Sequence, residues 1–436
     1  MTIPLISLSV LLTGCSIFMP GSGEDDKTST ETPGDITTSQ ESASVTTETA
    51  ETVSESDEKD IKNGIKEYKG VYLGVNDYGA PETDIANVSD FRYGFDIDGE
   101  KMLFKISAID GDDEKYTLQN KLKKGYTFEI KTDGSELTDV EETGTDAGSF
   151  ADPVVKGVPG ERTLKNFLKT ALMPVGSTLY IYGGGWDWQD EGASAQACTI
   201  GVSGDWSRFF ASQDAGYTYK DKDGKDENKD ASSSYYPYGH FNEYYFAGLD
   251  CSGFLGWTLY NTFENEDGKE GYVFKSTENS RRLADKGWGS LRQTMPSSGK
   301  RDESSVHPGD VISIKGHVWI SLGTCKDGSV VMVHSSPSFS REGQPGGGVQ
   351  IAAVGYSKDC KAYELAKEYM SGFYPEWYER YDADLKSPDL FLGFEGDDAG
   401  IFSWDTNGAG GGLTDPEGFR NMDPVKILKL LYEKRR

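Results

Sequence analysis

Hydrophobic residues change their spacing several times along the chain, and each change marks a different kind of segment. From Lys69, short apolar or alternating runs are separated by turn residues: Val71 to Val75, Tyr93 to Ile97, Met102 to Ile106 and Tyr126 to Ile130. Runs of this length and period predict strands. Asp98-Gly99 lies between two of them and predicts a hairpin, because Gly accepts the positive φ that a tight turn requires; Asp133-Gly134 repeats the signal. Five or so short strands predict a small antiparallel β-barrel, SH3-like or OB-like, over residues 61–158.

Beyond Glu161 the period lengthens. Leu164, Phe167, Leu168, Ala171 and Leu172 share one helical face, closed by Met173-Pro174. Leu179 to Trp186 reads as a strand with a glycine turn, and Leu255, Trp257, Leu259 and Phe263 continue a helical pattern that begins near Cys251. Asp310 to Lys315, Gly316 to Gly323 and Val330 to Ser336 predict three further strands. Glu364 to Tyr369 and Pro424 to Leu431 predict helices that pack onto the core as a C-terminal extension. The fold class expected for residues 159–436 is α+β, helices packed on an antiparallel sheet.

The N-terminal pattern differs from both. Ile3 to Leu12 is a short apolar run, too short to span a bilayer but suited to a secretory signal over residues 1–15. Glu24 to Asp60 then carries 15 Ser or Thr, 12 acids against 2 bases, and no aromatic residue. Such a segment cannot bury enough apolar surface to offset chain entropy, so residues 16–60 are expected to be a disordered acidic linker. Over all 436 residues, 72 acids face 44 bases for a net charge of -28. That balance argues against nucleic acid as a partner, since phosphate binding rests on Lys and Arg releasing counterions.

All four histidines, His240, His307, His317 and His334, lie in the second half of the chain. Besides Cys15 there are Cys198, Cys251, Cys325 and Cys360, an even number that allows two disulfides in an exported protein. Cys251 stands apart because Leu249-Asp250-Cys251-Ser252-Gly253-Phe254 opens a helical pattern. A helix N-terminus favours the thiolate and so makes a nucleophile. A thiolate also needs a base, ordinarily His, and a third group that orients the ring. His317 starts one predicted strand and His334 ends the next, so in adjacent antiparallel strands the two rings can meet. His240 and His307 read as loop residues, the latter exposed in a Pro-Gly turn. No His and Cys group has zinc spacing, and Asp221 to Asp226 places its Gly too early for an EF-hand loop, so no metal or cofactor is expected.

The motifs around these residues resemble those of the NlpC/P60 family of papain-like cell-wall cysteine peptidases. The likeness covers about residues 160–355 and rests on Asp-Cys-Ser-Gly-Phe, on Gly-Asp-Val followed by Gly-His-Val-x-Ile, and on Val-His-Ser-Ser followed by Gly348-Val349-Gln350-Ile351. It implies a papain-like domain with Cys251 as nucleophile, His317 as base and later acid, and His334 as the orienting ring. Tyr180, before a Gly-Gly pair, matches the residue that helps bind the oxyanion together with the Cys251 backbone N–H. Asp250 and Ser252 match positions that hold a substrate amine, and Trp186 is expected beside them on the substrate side. The implied reaction is hydrolysis of peptidoglycan stem peptides between γ-D-Glu and a diamino acid. An amidase cutting muramic acid from L-Ala uses the same triad, and a wall-binding lipoprotein without activity is the rival from another class.

The chain departs from compact relatives in an insertion over residues 187–248, rich in tyrosine and expected over the groove. Once Cys251 is reserved, at most one disulfide can form among Cys198, Cys325 and Cys360. Leu12-Thr13-Gly14-Cys15 resembles a bacterial lipobox, which implies acylation of Cys15 and an extracytoplasmic, membrane-anchored monomer.

Overall fold

Strand β1 (Ile65–Asn76) lies at the centre of a five-stranded sheet with β2 (Arg92–Ile97), β3 (Glu100–Phe104), β4 (Thr127–Asp133) and β5 (Glu136–Glu142), in the order β3-β2-β1-β4-β5. Every pairing in it is antiparallel. This is a computed structural model that describes residues 64–76, 92–106, 118–119, 121–143, 152–185, 197–212, 244–265, 268, 270–293, 306–343 and 345–432. The expected signal, the linker, Cys15, Trp186, His240 and the acidic run Asp221 to Asp226 all lie outside the described residues.

Alternation drives the small sheet. Along β4, Phe128, Ile130 and Thr132 point inward while Glu129, Lys131 and Asp133 face water, and the inward set joins Tyr72, Tyr93, Phe95, Phe104, Leu137 and Val140 in one core. The β2–β3 hairpin turns where expected, with Asp98 at φ 54° and Gly99 at φ 85°, and the Gly99 amide donates to Asp96 Oδ1 over 2.9 Å. The two sheet edges meet at Lys105, whose amide donates to Ser135 O (2.8 Å) and whose carbonyl accepts from Leu137 N (2.7 Å). This parallel bridge closes the sheet between β3 and β5.

The second sheet has seven strands: β6 (Gly289–Arg292), β7 (Val311–Ile314), β8 (His317–Thr324), β9 (Val330–Phe339), β10 (Pro345–Val354), β11 (Leu385–Lys386) and β12 (Gly400–Trp404). Their order is β11-β10-β9-β8-β7-β12-β6, antiparallel throughout except for the parallel β10–β11 pair. With α1 (Leu164–Leu172), α2 (Gly204–Ser212), α3 (Cys251–Phe263), α4 (Asn279–Asp285), α5 (Lys361–Phe373), α6 (Pro375–Arg380), α7 (Pro388–Phe391) and α8 (Pro424–Leu431), the described chain is α+β. Both faces of the sheet are covered. Val318, Ile320, Val331 and Val333 join the large core that includes α1 and α3, whereas Ile312, Trp319, Met332 and Val354 pack with Phe391 on the other side. That is why β7 and β8 read as nearly unbroken apolar runs rather than alternating ones.

Several expectations change in detail. Leu179 to Trp186 is not a regular strand: Leu179 alone bridges, to Gly348 and to Gly248, and positive-φ glycines at 183 and 185 then turn the chain. His307 is half-buried rather than exposed, because the Asp310 carboxylate folds back over the turn and accepts its amide hydrogen at 2.9 Å. The C-terminal extension supplies the expected helices, α5 being longer than predicted, but it also adds two strands, β11 and β12, to the sheet. No described helix is long and apolar enough to cross a membrane.

Among the described residues, the small sheet touches the large unit around Tyr126. Lys124 Nζ donates to Tyr244 Oη at 3.0 Å, the Tyr126 hydroxyl donates to Asp205, and the Tyr126 and Phe246 rings meet edge to face at 5.7 Å. Tyr244 precedes, and Phe246 lies within, a single turn of 3₁₀-helix (Tyr245–Ala247) that leads directly into the segment before Cys251.

Candidate active site

The segment that carries Cys251 is positioned by its backbone. Leu249 N donates to Leu179 O (3.1 Å) and Asp250 N to Gly184 O (2.9 Å), which lays residues 249–250 against the glycine turn. Asp250 then caps α3: its Oδ1 accepts from Gly253 N at 2.6 Å and from Ser252 Oγ at 2.9 Å, and its Oδ2 accepts from Gly183 N at 3.2 Å. An aspartate at this position satisfies amides that the first helical turn leaves without partners. The helix behind it is buried at every position, so its place is fixed by packing on all sides. Cys251 is its first residue and is 1% exposed.

At that position the thiol meets the positive end of the helix dipole, which stabilises a thiolate. Cys251 is disulfide-bonded in this structure, so thiolate chemistry belongs to the reduced protein. Cys325 and Cys360 carry free thiols, and therefore no disulfide forms among Cys198, Cys325 and Cys360. Burial pushes the Cys325 thiol up to about 12, which makes it inert.

His317 opens β8 and His334 lies within β9, and their rings do meet: Nε2 of His317 is 3.0 Å from Nδ1 of His334. They meet on a diagonal rather than directly opposed, since the β8–β9 ladder pairs Ile320 with Val333. Both rings are buried, at 1% and 0% exposure, and Phe391 packs edge-on against each. Burial pushes His317 well below its ordinary pKa, with the neighbouring His334 and Lys386 acting in the same direction; His334 is lowered by burial against the pull of Asp384. Both imidazoles are therefore neutral at neutral pH, the form in which a histidine accepts a proton.

The imidazole pair and the cysteine segment are tied together at adjacent residues of β9. The His334 side chain meets His317, whereas the next side chain, Ser335, points to the opposite face and donates to Leu249 O at 2.6 Å. Leu249 is two residues before Cys251. Tyr180, fully buried, is held by a bond from its amide to Gly347 O (3.0 Å), one residue after the Leu179 carbonyl that anchors Leu249.

Of the residues expected to hold substrate, the Asp250 carboxylate is occupied by the chain's own donors and the Ser252 hydroxyl points at it. Burial pushes Asp250 up to about 6, against hydrogen bonds from Gly253, Ser252 and Gly183 that pull it down. Trp186 lies outside the described residues.

Sequence reasoning missed a second layer behind the histidines. Asp384 Oδ2 stands 3.5 Å from Nε2 of His334 and 2.9 Å from Lys386 Nζ, and the Lys386 ammonium lies over the Phe391 ring at 5.6 Å. Asp384 reaches this place because β11 pairs with β10 beside it, Ala353 N donating to Asp384 O at 2.9 Å, while Gln350 in β10 lies opposite His334. Burial alone would raise the Asp384 carboxyl, but Lys386 and His334 outweigh it and hold the group ionised far below the usual range. No motif marks Asp384, Lys386 or Phe391; only the register of a two-residue parallel strand brings them in. Among the described residues no cluster of His, Cys, Asp and Glu has the form of a metal site. No protein-family model, curated protein or solved structure matches the chain.

Proposed function

We propose that the chain is a cysteine peptidase of the NlpC/P60 kind that hydrolyses peptidoglycan stem peptides between γ-D-Glu and a diamino acid. The observation that carries this reading is the buried contact of His317 Nε2 with His334 Nδ1 at 3.0 Å, joined through Ser335 and Leu249 to a cysteine at the first position of a buried helix. In the reduced protein His317 takes the Cys251 proton, and the thiolate adds to the amide carbonyl to form a tetrahedral oxyanion. The Cys251 backbone N–H and Tyr180 receive that negative charge. His317, now protonated, gives its proton to the departing amine, the C–N bond breaks and a thioester remains. Water, deprotonated by His317, then hydrolyses the thioester, and the thiol is regenerated.

The remaining parts fit around this chemistry. The strand order β3-β2-β1-β4-β5 with parallel closure at Lys105 favours the OB-like of the two expected barrels. Its contacts at Tyr244 and Phe246 support a role in shaping the groove rather than in spacing alone. The lipobox-like Leu12-Thr13-Gly14-Cys15 supports an acyl anchor on the outer side of a bacterial membrane, with residues 16–60 as its tether.

The test is digestion of defined muropeptides by the full-length chain under reducing conditions, with mass spectrometry of the products. Cleavage after γ-D-Glu, abolished in Cys251→Ala and in His317→Ala, is the expected result. Release of intact stem peptides would assign the amidase instead, and binding without cleavage by the wild-type protein would refute the enzyme.

A further inference from the structure

We infer that Asp384, from the C-terminal extension, is a positioning residue that sets the tautomers of both histidines and leaves His317 Nδ1 as the base. The catalytic consequence rests on the peptidase reading; the placement of the protons does not. Among the described residues, and apart from the Lys386 ion pair, Asp384 Oδ2 and His334 Nε2 have no partner but each other, and they face one another across 3.5 Å in the interior. That separation is a few tenths of an ångström beyond a formed N–H···O bond, so a small closing movement completes it.

The chain of protons follows from what each atom is able to do. An ionised carboxylate only accepts, so His334 Nε2 must carry the hydrogen that faces it. A neutral imidazole has one N–H, which leaves His334 Nδ1 as an acceptor. At 3.0 Å from it, His317 Nε2 must then donate. His317 Nδ1 is left with a lone pair, able to take a proton from a thiol. If Asp384 were neutral or absent, His334 would be free to hold its hydrogen on Nδ1 and donate to His317 Nε2. The His317 hydrogen would then sit on Nδ1, where it blocks the base.

Lys386 separates this role from a merely structural one. A salt bridge whose task was to anchor β11 needs only the Lys386 contact at 2.9 Å and has no reason to respond to the state of His334. The carboxylate also favours the imidazolium that forms during turnover, while the Lys386 ammonium opposes it; both charges face the pair.

The experiment uses the reduced full-length chain with ¹⁵N-labelled histidines. Long-range ¹H–¹⁵N spectra report which ring nitrogen carries hydrogen, and His317→Gln and His334→Gln assign the signals. In the wild type at pH 7.5 both rings are expected as the Nε2–H form. In Asp384→Asn, His317 and His334 should shift to a mixture containing Nδ1–H, and Asp384→Glu should restore the original form. With muropeptide substrate, Asp384→Asn should lower kcat by about 10²-fold and leave KM within twofold. Its acid limb should move to lower pH, because the loss of the carboxylate charge disfavours the His317 imidazolium. A wild-type His334 protonated on Nδ1 overturns the inference without any variant, as do tautomers unchanged in Asp384→Asn. If the wild type cleaves no muropeptide but the tautomers respond as described, the placement of the protons stands and the peptidase reading fails.

Discussion

The Ser335 hydroxyl donates to the Leu249 carbonyl at 2.6 Å, in the buried interior, between residues 86 apart in sequence. It is the direct link between the strand that holds His334 and the segment that delivers Cys251. Ser335→Ala leaves that carbonyl unpaired away from water, which costs about 1–3 kcal/mol. Urea denaturation should show a loss of that size. Alkylation of Cys251 by iodoacetamide in the reduced protein should change as well, and a variant of unaltered stability would show that the bond is not formed in solution.

Asp250 makes stability depend on pH with an unusual sign. Its pKa in the folded chain, about 6, lies above the ordinary 3.8, so between these values the folded state holds more protons than the unfolded one. Its contribution therefore falls as pH rises through that window, by about 3 kcal/mol in all. The difference in unfolding free energy between wild type and Asp250→Asn, measured from pH 4 to pH 7, should trace this fall. A flat difference would mean that the three donors and the helix dipole keep the carboxylate ionised.

The histidines act in the opposite direction. His317 and His334 are both held below the usual histidine pKa by burial, so below about pH 6.5 the unfolded chain takes up protons that the folded chain refuses. Their contribution is complete above that pH and is lost on acidification. Measured against His334→Gln, wild-type stability should decline as pH falls below 6.5. An equal slope in both proteins would place the titration elsewhere.

The contact between the small sheet and the segment before Cys251 should control the approach to that residue. Tyr126→Ala removes the ring that meets Phe246 and the hydroxyl that bonds Asp205. Amide hydrogen exchange over residues 244–249 should then speed up by about tenfold, equivalent to roughly 1.4 kcal/mol of local opening. Unchanged exchange would mean that the small sheet leaves this segment's stability untouched.

What the sequence revealed, and what it hid, follows from the range of each signal. The Asp98-Gly99 hairpin, α1, α3 and the strands around His317 and His334 were legible because each is marked by local spacing or by a residue with special backbone freedom. β5 was only half legible: Asp133-Gly134 marked the turn into it, but its inward residues Leu137 and Val140 are three apart because the ladder shifts register between Lys131 and Thr132, which breaks the period-two pattern. Leu179 misled in the other direction, since an apolar run resembles a strand whether it pairs at one residue or at six. Cys251, His317 and His334 stood out by chemistry and context. Asp384 did not, because its value comes from a two-residue parallel pairing that no local pattern encodes.

A Cβ built on Gly253 would lie 2.0 Å from the Gly184 carbonyl oxygen, and one on Gly184 would lie 2.5 Å from the Gly248 carbonyl oxygen. The first turn of α3 and the Gly183–Gly185 turn thus touch main chain to main chain, with no side chain between them to change rotamer. A joint of this kind has almost no tolerance. Repacking of the aromatic interior can absorb substitutions at many positions without moving Cys251, whereas adding a single methyl group at either glycine displaces it.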